Sequence, residues 1–343
     1  MESAQSPISN FLPMHAVYLK NGRLTVRTDY PLPPAHPGEA ILRVRLAGIC
    51  ATDLELVKGY ARFTGVLGHE FVAEVVAVNG SEEEQARWNG RSVVSSINIG
   101  CGSCPICQQD GPEHCPNRQA LGIHGRDGAF AEYLTVPIAN LHEVPAGVAD
   151  EAAVFTEPLA AALRIREQVV VGSGEKTAVI GPGRLGLLVG QMLALTGNEV
   201  IMLGRSQSSL GLPAQLGQTT ALAEDLPDDS FGLVVEVTGN EAGFAQALRL
   251  VRPQGTIILK STFHGLPRVD LTKLVVSEIK VVGSRCGSFA PALRLLANHA
   301  IATTPLIDAT YPLTEAQAAF THAAQPGVRK ILLRPATFSS LTD

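Results

Sequence analysis

The chain has 343 residues, 45% hydrophobic and 17% charged, with a formal net charge of −5. That length predicts about two domains with sizeable cores. Mild acidity without a long Lys/Arg run excludes a nucleic-acid or anionic-membrane partner, and no apolar run reaches the ~18 residues that span a bilayer.

Met1–Met14 lacks a basic end followed by an apolar core, so it does not read as a secretory signal. The expected compartment is the cytoplasm, where six cysteines are not spent on three disulfides. Short alternating runs follow, Ala16–Leu19, Leu24–Val26 and Ala40–Leu46, punctuated by Pro31, Pro33, Pro34 and Pro37, and they predict strands and turns. Cys50 sits in Ala47-Gly-Ile-Cys50-Ala-Thr52-Asp53. Nineteen residues later Gly68-His69-Glu70 opens the alternating run Phe71–Val78. A lone Cys or His is usually structural. Here each stands beside a carboxylate (Asp53, Glu70) at an element boundary, the pattern of metal ligands.

Further strands are expected at Ser92–Ser96 and Phe130–Val136. Between them Cys101, Cys104, Cys107 and Cys115 fall within fifteen residues. Four thiolates at this spacing suit tetrahedral Zn²⁺ with no open position, a structural site. Free surface thiols and a zinc-ribbon nucleic-acid reader share the spacing. The lobe has only Arg118 and Arg126 nearby, which favours a fold clip or a subunit contact. Cys286 has no partner in sequence.

From about Ala152 the texture changes to a helical stretch, Ala152–Val171, and then to short apolar strands alternating with helices: Lys176–Ile180, helix Leu185–Thr196, Glu199–Leu203, Phe231–Val237 and Gly255–Lys260. This predicts βαβ units on a parallel sheet. Gly181-Pro-Gly183-Arg184-Leu185-Gly186 follows the first of these strands and opens a helix, as in a dinucleotide site. There Gly181 makes the turn, Gly183 admits the pyrophosphate, and Gly186 lets the helix pack closely. An NAD site carries Asp or Glu at the end of the second strand. This chain has Gly204, Arg205 and Ser206, leaving room and charge for a 2′-phosphate, so NADP is expected over NAD. The other reading is a surface arginine beside a permissive NAD site. After about Phe289 come a helical stretch, a break at Tyr311-Pro-Leu, and a last strand at Arg329–Arg334.

Gly48–Asp53, Gly68-His69-Glu70, the four-cysteine lobe, Gly128–Tyr133, the Gly181 loop and Arg329–Leu333 together resemble the medium-chain dehydrogenase/reductase superfamily, in its zinc-dependent alcohol dehydrogenase family. The resemblance covers nearly the whole chain. It implies an α/β protein with a GroES-like β-barrel catalytic domain (1–152, structural zinc lobe at about 98–118), a Rossmann doubly wound domain (153–288) and a return to the catalytic domain (289–343). Cys50 and His69 are then ligands of a catalytic zinc, with Glu70 beside it. The third position, Cys in the best-known alcohol dehydrogenases, is Glu157 in Phe155-Thr-Glu157-Pro-Leu159, the form of the polyol, threonine and sugar dehydrogenase branch. Glu70 or Glu157 could be the carboxylate ligand.

Asp53 would orient His69, and Thr52 would relay the alcohol proton. Glu55 replaces the outer histidine of the relay, leaving Glu55 or a water for that step. Arg184, Leu185 and Arg329 would join the glycines at the cofactor. The implied activity is hydride transfer between NADP(H) or NAD(H) and a secondary alcohol, polyol or sugar-like substrate. The implied assembly is a homodimer or homotetramer. Ala73, where the family has Gly, is a packing change, and the short Cys50–His69 interval could bring Tyr60 and Phe63 to the substrate pocket or to the core. The alternatives are a zinc-free quinone or enone reductase of the same superfamily and a catalytically silent nucleotide-binding member.

Overall fold

The computed structural model describes residues 13–109, 111–170, 172, 174–263 and 266–336. The N-terminal residues 1–12, Val171 and the end of the tail segment, 337–343, lie outside it. Two compact units divide the chain: Met1–Phe155 with Ile307–Asp343, and Thr156–Leu306.

In the first unit, Glu39–Gly48 is the central strand, and its nearly unbroken burial explains its apolar run. Glu70–Asn79 pairs antiparallel along one edge, from Glu39↔Asn79 to Gly48↔Glu70, with register shifts between Ile41 and Leu42 and between Val44 and Leu46. The other edge is shared. Tyr133–Pro137 pairs with its first half, and Lys330–Arg334 with its end, Leu332↔Gly48 and Leu333↔Ala47. Ser92–Ser95 and Leu141–Glu143 extend one side of this seven-stranded sheet, and Ile307–Pro312 the other. A smaller sheet joins Arg23–Tyr30, Met14–Lys20 and Gly65–Val66. The cysteine lobe is strung between Asn98–Ile99 and Gln119–Leu121, which pair antiparallel at its base.

The second unit holds a six-stranded parallel sheet in the order Thr219–Leu222, Glu199–Gly204, Lys176–Ile180, Phe231–Glu236, Val251–Leu259, Lys280–Gly283. Its first strand in the chain is central. The winding reverses between Lys176–Ile180 and Phe231–Glu236, and ligands of open α/β sheets bind at the carboxyl ends beside such a reversal. Phe231, Val234, Leu250 and Ile257 are in the core of this unit.

Three expectations are revised. The stretch from Ala152 forms two helices, Asp150–Ala153 and Thr156–Gln168, rather than one. Pro158 has no N–H to give a preceding turn, so a helix can begin there but not run through it. The last segment returns to the first unit from Ile307, not from 289. Helix Phe289–Ala297 stays in the second unit, where Gly287 approaches so closely that a Cβ would lie 2.1 Å from the Ala160 carbonyl oxygen. The tail also has two elements the sequence reading lacks: strand Ile307–Pro312, whose burial alternates as on a sheet edge, and helix Ala316–Ala323.

Candidate active site

Cys50 is the N-cap of helix Ala51–Val57, which starts where the central strand ends. Asp53 turns back on the cap, its Oδ2 accepting from the Cys50 N–H at 2.8 Å. Its other oxygen lies 3.4 Å from His69 Nδ1, and these two buried atoms have no further polar partner among the described residues. With Nδ1 turned to Asp53, Nε2 is the nitrogen left for a metal. Ligand atoms of Cys50, His69 and Glu70 lie within 4.8 Å of one another. A thiolate, an imidazole and a carboxylate at this spacing suit Zn²⁺. Burial lowers the His69 pKa, but the Asp53 carboxylate and Cys50 outweigh it and hold the imidazole well above its usual range. Thr52 Oγ1 is 3.8 Å from Cys50 Sγ, and Glu55 accepts from Lys58 Nζ at 2.8 Å on the same short helix.

Gly68 takes φ +100°, and a Cβ there would lie 2.5 Å from the Phe130 ring. Ala129 N–H donates to the Gly68 carbonyl at 2.9 Å and Phe130 N–H to that of Leu67 at 2.8 Å. The Gly128–Tyr133 motif thus clamps the residues just before His69. Gly68→Ala is expected to cost about 2–4 kcal/mol, from positive-φ strain plus overpacking. A matching drop in Tm with weaker metal retention checks this; unchanged values would contradict it.

The four lobe cysteines also bring their sulfurs within 4.8 Å of one another. Cys104 and Cys115 are 3.9 Å apart, near the ~3.8 Å that tetrahedral Zn–S bonds of ~2.3 Å require and far beyond a disulfide. Cys101 N–H points to Cys115 Sγ and Cys107 N–H to Cys104 Sγ, each at 3.4 Å. Hydrogen bonds centred on Ser103 lower Cys101 to about 6, whereas burial pushes Cys107 up to about 12.

In the second unit Gly181 has φ +107°, and a Cβ at Gly186 would sit 1.9 Å from the Gly181 carbonyl oxygen. Nothing lies within 4 Å of a Cβ at Gly183, which is the N-cap of helix Arg184–Ala194, so the helix end with Arg184 and Leu185 is open to approach. Gly204 is demanded by packing as well as by any ligand, since a Cβ would meet Ser209 Oγ at 2.4 Å. Arg205 is exposed, and Ser206 Oγ lies 3.0 Å from Ser208 Oγ. Glu157 is half-buried in the first turn of Thr156–Gln168, in the second unit. Arg329 ion-pairs with Asp308 at 3.7 Å in the first unit. Phe63 is buried in the first unit's core, while Tyr60 is exposed.

Sequence reasoning misses three charged residues. Lys330 Nζ donates to Glu70 Oε2 in a buried ion pair. Glu236 closes the turn facing the Gly181 loop, accepting from the N–H groups of Thr238 at 2.6 Å and Gly239 at 3.2 Å. Lys260 donates to the carbonyls of Ala161 and Arg285 and to Ser284 Oγ, and burial lowers it to about 8. Each is a charged residue inside or ending an apolar strand, which is the only trace the sequence offers.

Residues 36–146 match the alcohol dehydrogenase GroES-like domain family, and residues 185–298 the zinc-binding dehydrogenase family. The sorbitol dehydrogenase of Halalkalibacterium halodurans is 30% identical over 328 residues, covering 89% of this chain and 93% of the relative. A structure from Sinorhizobium meliloti, described as a zinc-binding dehydrogenase bound to NADP, superposes with TM-score 0.85 at 29% identity, covering 94% of this chain and 99% of that one. An Escherichia coli alcohol dehydrogenase complexed with NADH gives TM-score 0.85 at 26% identity, with coverage of 94% and 99%. No helix among the described residues is long and apolar enough to cross a membrane. The chain belongs to the zinc-dependent medium-chain dehydrogenase/reductase family, in its polyol dehydrogenase branch.

Proposed function

We propose that this NAD(P)-dependent oxidoreductase of CH–OH donors interconverts a secondary alcohol of a polyol or sugar-like substrate and the ketone, with one catalytic and one structural zinc per chain. The observation that carries the reading is the convergence of Cys50, His69 and Glu70 beside the Thr52 hydroxyl. Cys50 and His69, with Glu70 or Glu157, hold the catalytic metal, and the four lobe cysteines hold the other. Bound zinc supplies Lewis acidity toward an alcohol oxygen. Asp53 fixes the His69 ring, and Thr52 takes the alcohol proton and hands it on through Glu55 or a water. The amides at the start of helix Arg184–Ala194 bind the cofactor pyrophosphate, with Arg329 as a further cofactor contact. A zinc-free quinone or enone reductase has no use for the Cys50–His69–Glu70 cluster, and a silent nucleotide-binding member has no use for Thr52 beside it. The test is a screen of NADP⁺ reduction over polyols, sugars, amino-alcohols and simple secondary alcohols with zinc supplied. No turnover on any of them would remove the reading.

NADP(H) is the preferred cofactor, held by Arg205 and Ser206. Arg205→Ala is expected to raise KM for NADP⁺ about 10- to 100-fold, the worth of a charge-assisted hydrogen bond to phosphate, and to leave NAD⁺ use nearly unchanged. Wild-type kcat/KM for NAD⁺ equal to or above that for NADP⁺ would defeat it.

The working form is a homodimer or homotetramer. In the second unit Leu271, Val275 and Val276 are 66%, 75% and 77% exposed on one short helix, next in the chain to the sheet-edge strand Lys280–Gly283. Apolar side chains and an open strand edge together favour burial by a second copy.

A further inference from the structure

Lys260 stands directly after strand Val251–Leu259, at the carboxyl edge of the parallel sheet. Its N–H donates to the Glu236 carbonyl at 3.0 Å, which sets it level with the end of the neighbouring strand Phe231–Glu236. A dinucleotide on a doubly wound sheet lies across the strand reversal, one half on each side, and the end of the second strand takes the adenosine ribose. That second strand is Glu199–Gly204, so the adenosine half belongs on its side of the Gly181 loop. The nicotinamide half then falls over the ends of Phe231–Glu236, Val251–Leu259 and Lys280–Gly283. Lys260 ends the middle strand of these three. Its Nζ donates to the Ala161 carbonyl at 2.6 Å, the Arg285 carbonyl at 3.0 Å and Ser284 Oγ at 3.1 Å. Ser284 and Arg285 directly follow Lys280–Gly283, and Ala161 lies in helix Thr156–Gln168, so the ammonium is held in place by two further elements of the second unit.

An ammonium has three N–H donors, and here protein acceptors take all three. Lys260 therefore has no donor left for a ligand and acts on one through its charge alone. Burial lowers its pKa to about 8, which still leaves it protonated at neutral pH. The other charged groups that act on it, Glu157, Arg164 and Glu167, all stand on helix Thr156–Gln168, and the Cys286 thiol follows Arg285. The nicotinamide ring carries a positive charge when oxidised and none when reduced. We propose that Lys260 sets the balance between the two forms, its fixed ammonium disfavouring the cationic ring and so favouring NAD(P)H on the enzyme. The inference rests on the cofactor pyrophosphate lying at the Gly181 loop. Because the three hydrogen bonds hold the charge in advance, its field needs no rearrangement when the ring loses its own charge. Lys260 takes no part in the bonds that form and break. It makes the bound cofactor easier to reduce, which favours oxidation of the alcohol.

The test uses full-length protein carrying Lys260→Met, with Lys260→Gln as the variant that keeps donors without charge and Lys260→Arg as the one that keeps the charge. The readouts are the dissociation constants of reduced and oxidised cofactor at neutral pH without substrate, the reduced form by its fluorescence and the oxidised form by displacing it. NADPH with NADP⁺ and NADH with NAD⁺ are both measured, so the result does not depend on the 2′-phosphate. The ratio of the oxidised to the reduced constant is expected to fall about tenfold in the Met and Gln variants, the scale of one charge acting across several ångströms. That corresponds to a bound two-electron potential lower by about 30 mV. Lys260→Arg should keep the wild-type ratio. A merely structural tie would weaken both forms alike, and Gln would repair more of the damage than Met. If Lys260→Met binds neither form, Gln against Arg carries the comparison. A wild-type ratio in the neutral variants overturns the role of Lys260. Gly183→Val tests the ground beneath it, since nothing lies within 4 Å of a Cβ there and the chain can accept the side chain. Wild-type affinity for both forms in that variant would show that the pyrophosphate does not lie at the Gly181 loop, and the cofactor placement has failed instead.

Discussion

Cys50→Ser is expected to lower kcat by on the order of 10³- to 10⁴-fold, because losing the metal forfeits several kcal/mol of charge stabilisation on the reacting oxygen. The thiolate is the softest donor in the cluster, and the remaining imidazole and carboxylate form a poorer zinc site. The loss should be confined to chemistry. Cys50 caps a helix of the first unit, whereas the glycine loop and Arg205 are built entirely within the second. NADPH should therefore bind Cys50→Ser with wild-type affinity by fluorescence titration. Zinc content should fall from two ions per chain to one. Retained kcat would take Cys50 out of the mechanism.

The second large effect is expected in the lobe. Cys104→Ser should release the structural ion, since three thiolates do not close a tetrahedral site. Structural zinc sites contribute folding free energy directly, so a loss of several kcal/mol and a fall in Tm on the order of 10 °C are expected. Limited proteolysis should then cut between Ile99 and Gln119, the ends of the strands that pair at the lobe's base. Wild-type zinc content together with wild-type protease resistance would show that the cysteines hold no metal. Loading should also depend on pH in a definite direction. Cys107 carries its proton to about 12. Binding near neutrality must therefore expel that proton, and zinc affinity should fall as the pH is lowered.

What the sequence discloses and what it hides divide along the range of the interactions. The glycine loop, the cysteine spacing and the Gly68-His69-Glu70 run are local patterns whose chemistry is set by neighbours a few residues away. The inner strands of the parallel sheet are legible for a similar reason. Lys176–Ile180 and Phe231–Glu236 are covered on both faces, so their apolar residues run on without alternating. The Lys330–Glu70 ion pair is invisible because its two members lie 260 positions apart in the chain. A lysine at the head of Lys-Ile-Leu-Leu reads as an exposed strand end until the register of three strands is known. Strand Ile307–Pro312 escapes notice because Asp308, Thr310 and Pro312 interrupt its apolar positions, the signature of an edge. The helix starting at Thr156 merges with the one before it when the Ala and Leu content around Pro158 outweighs the proline itself.

The return of the tail has a consequence for biosynthesis. The second unit is one continuous stretch, Thr156–Leu306, and can fold as soon as it leaves the ribosome. The first unit cannot finish, because its central strand leaves half of one edge unpaired until Lys330–Arg334 arrives. At ordinary elongation rates the intervening stretch takes roughly 8 to 30 s to make. During that time Glu70 is without its lysine and the end of the central strand is open to foreign strands. The nascent chain is thus most prone to aggregation in the half that is synthesised first, and a nascent chain halted before Lys330 should engage chaperones through the N-terminal unit.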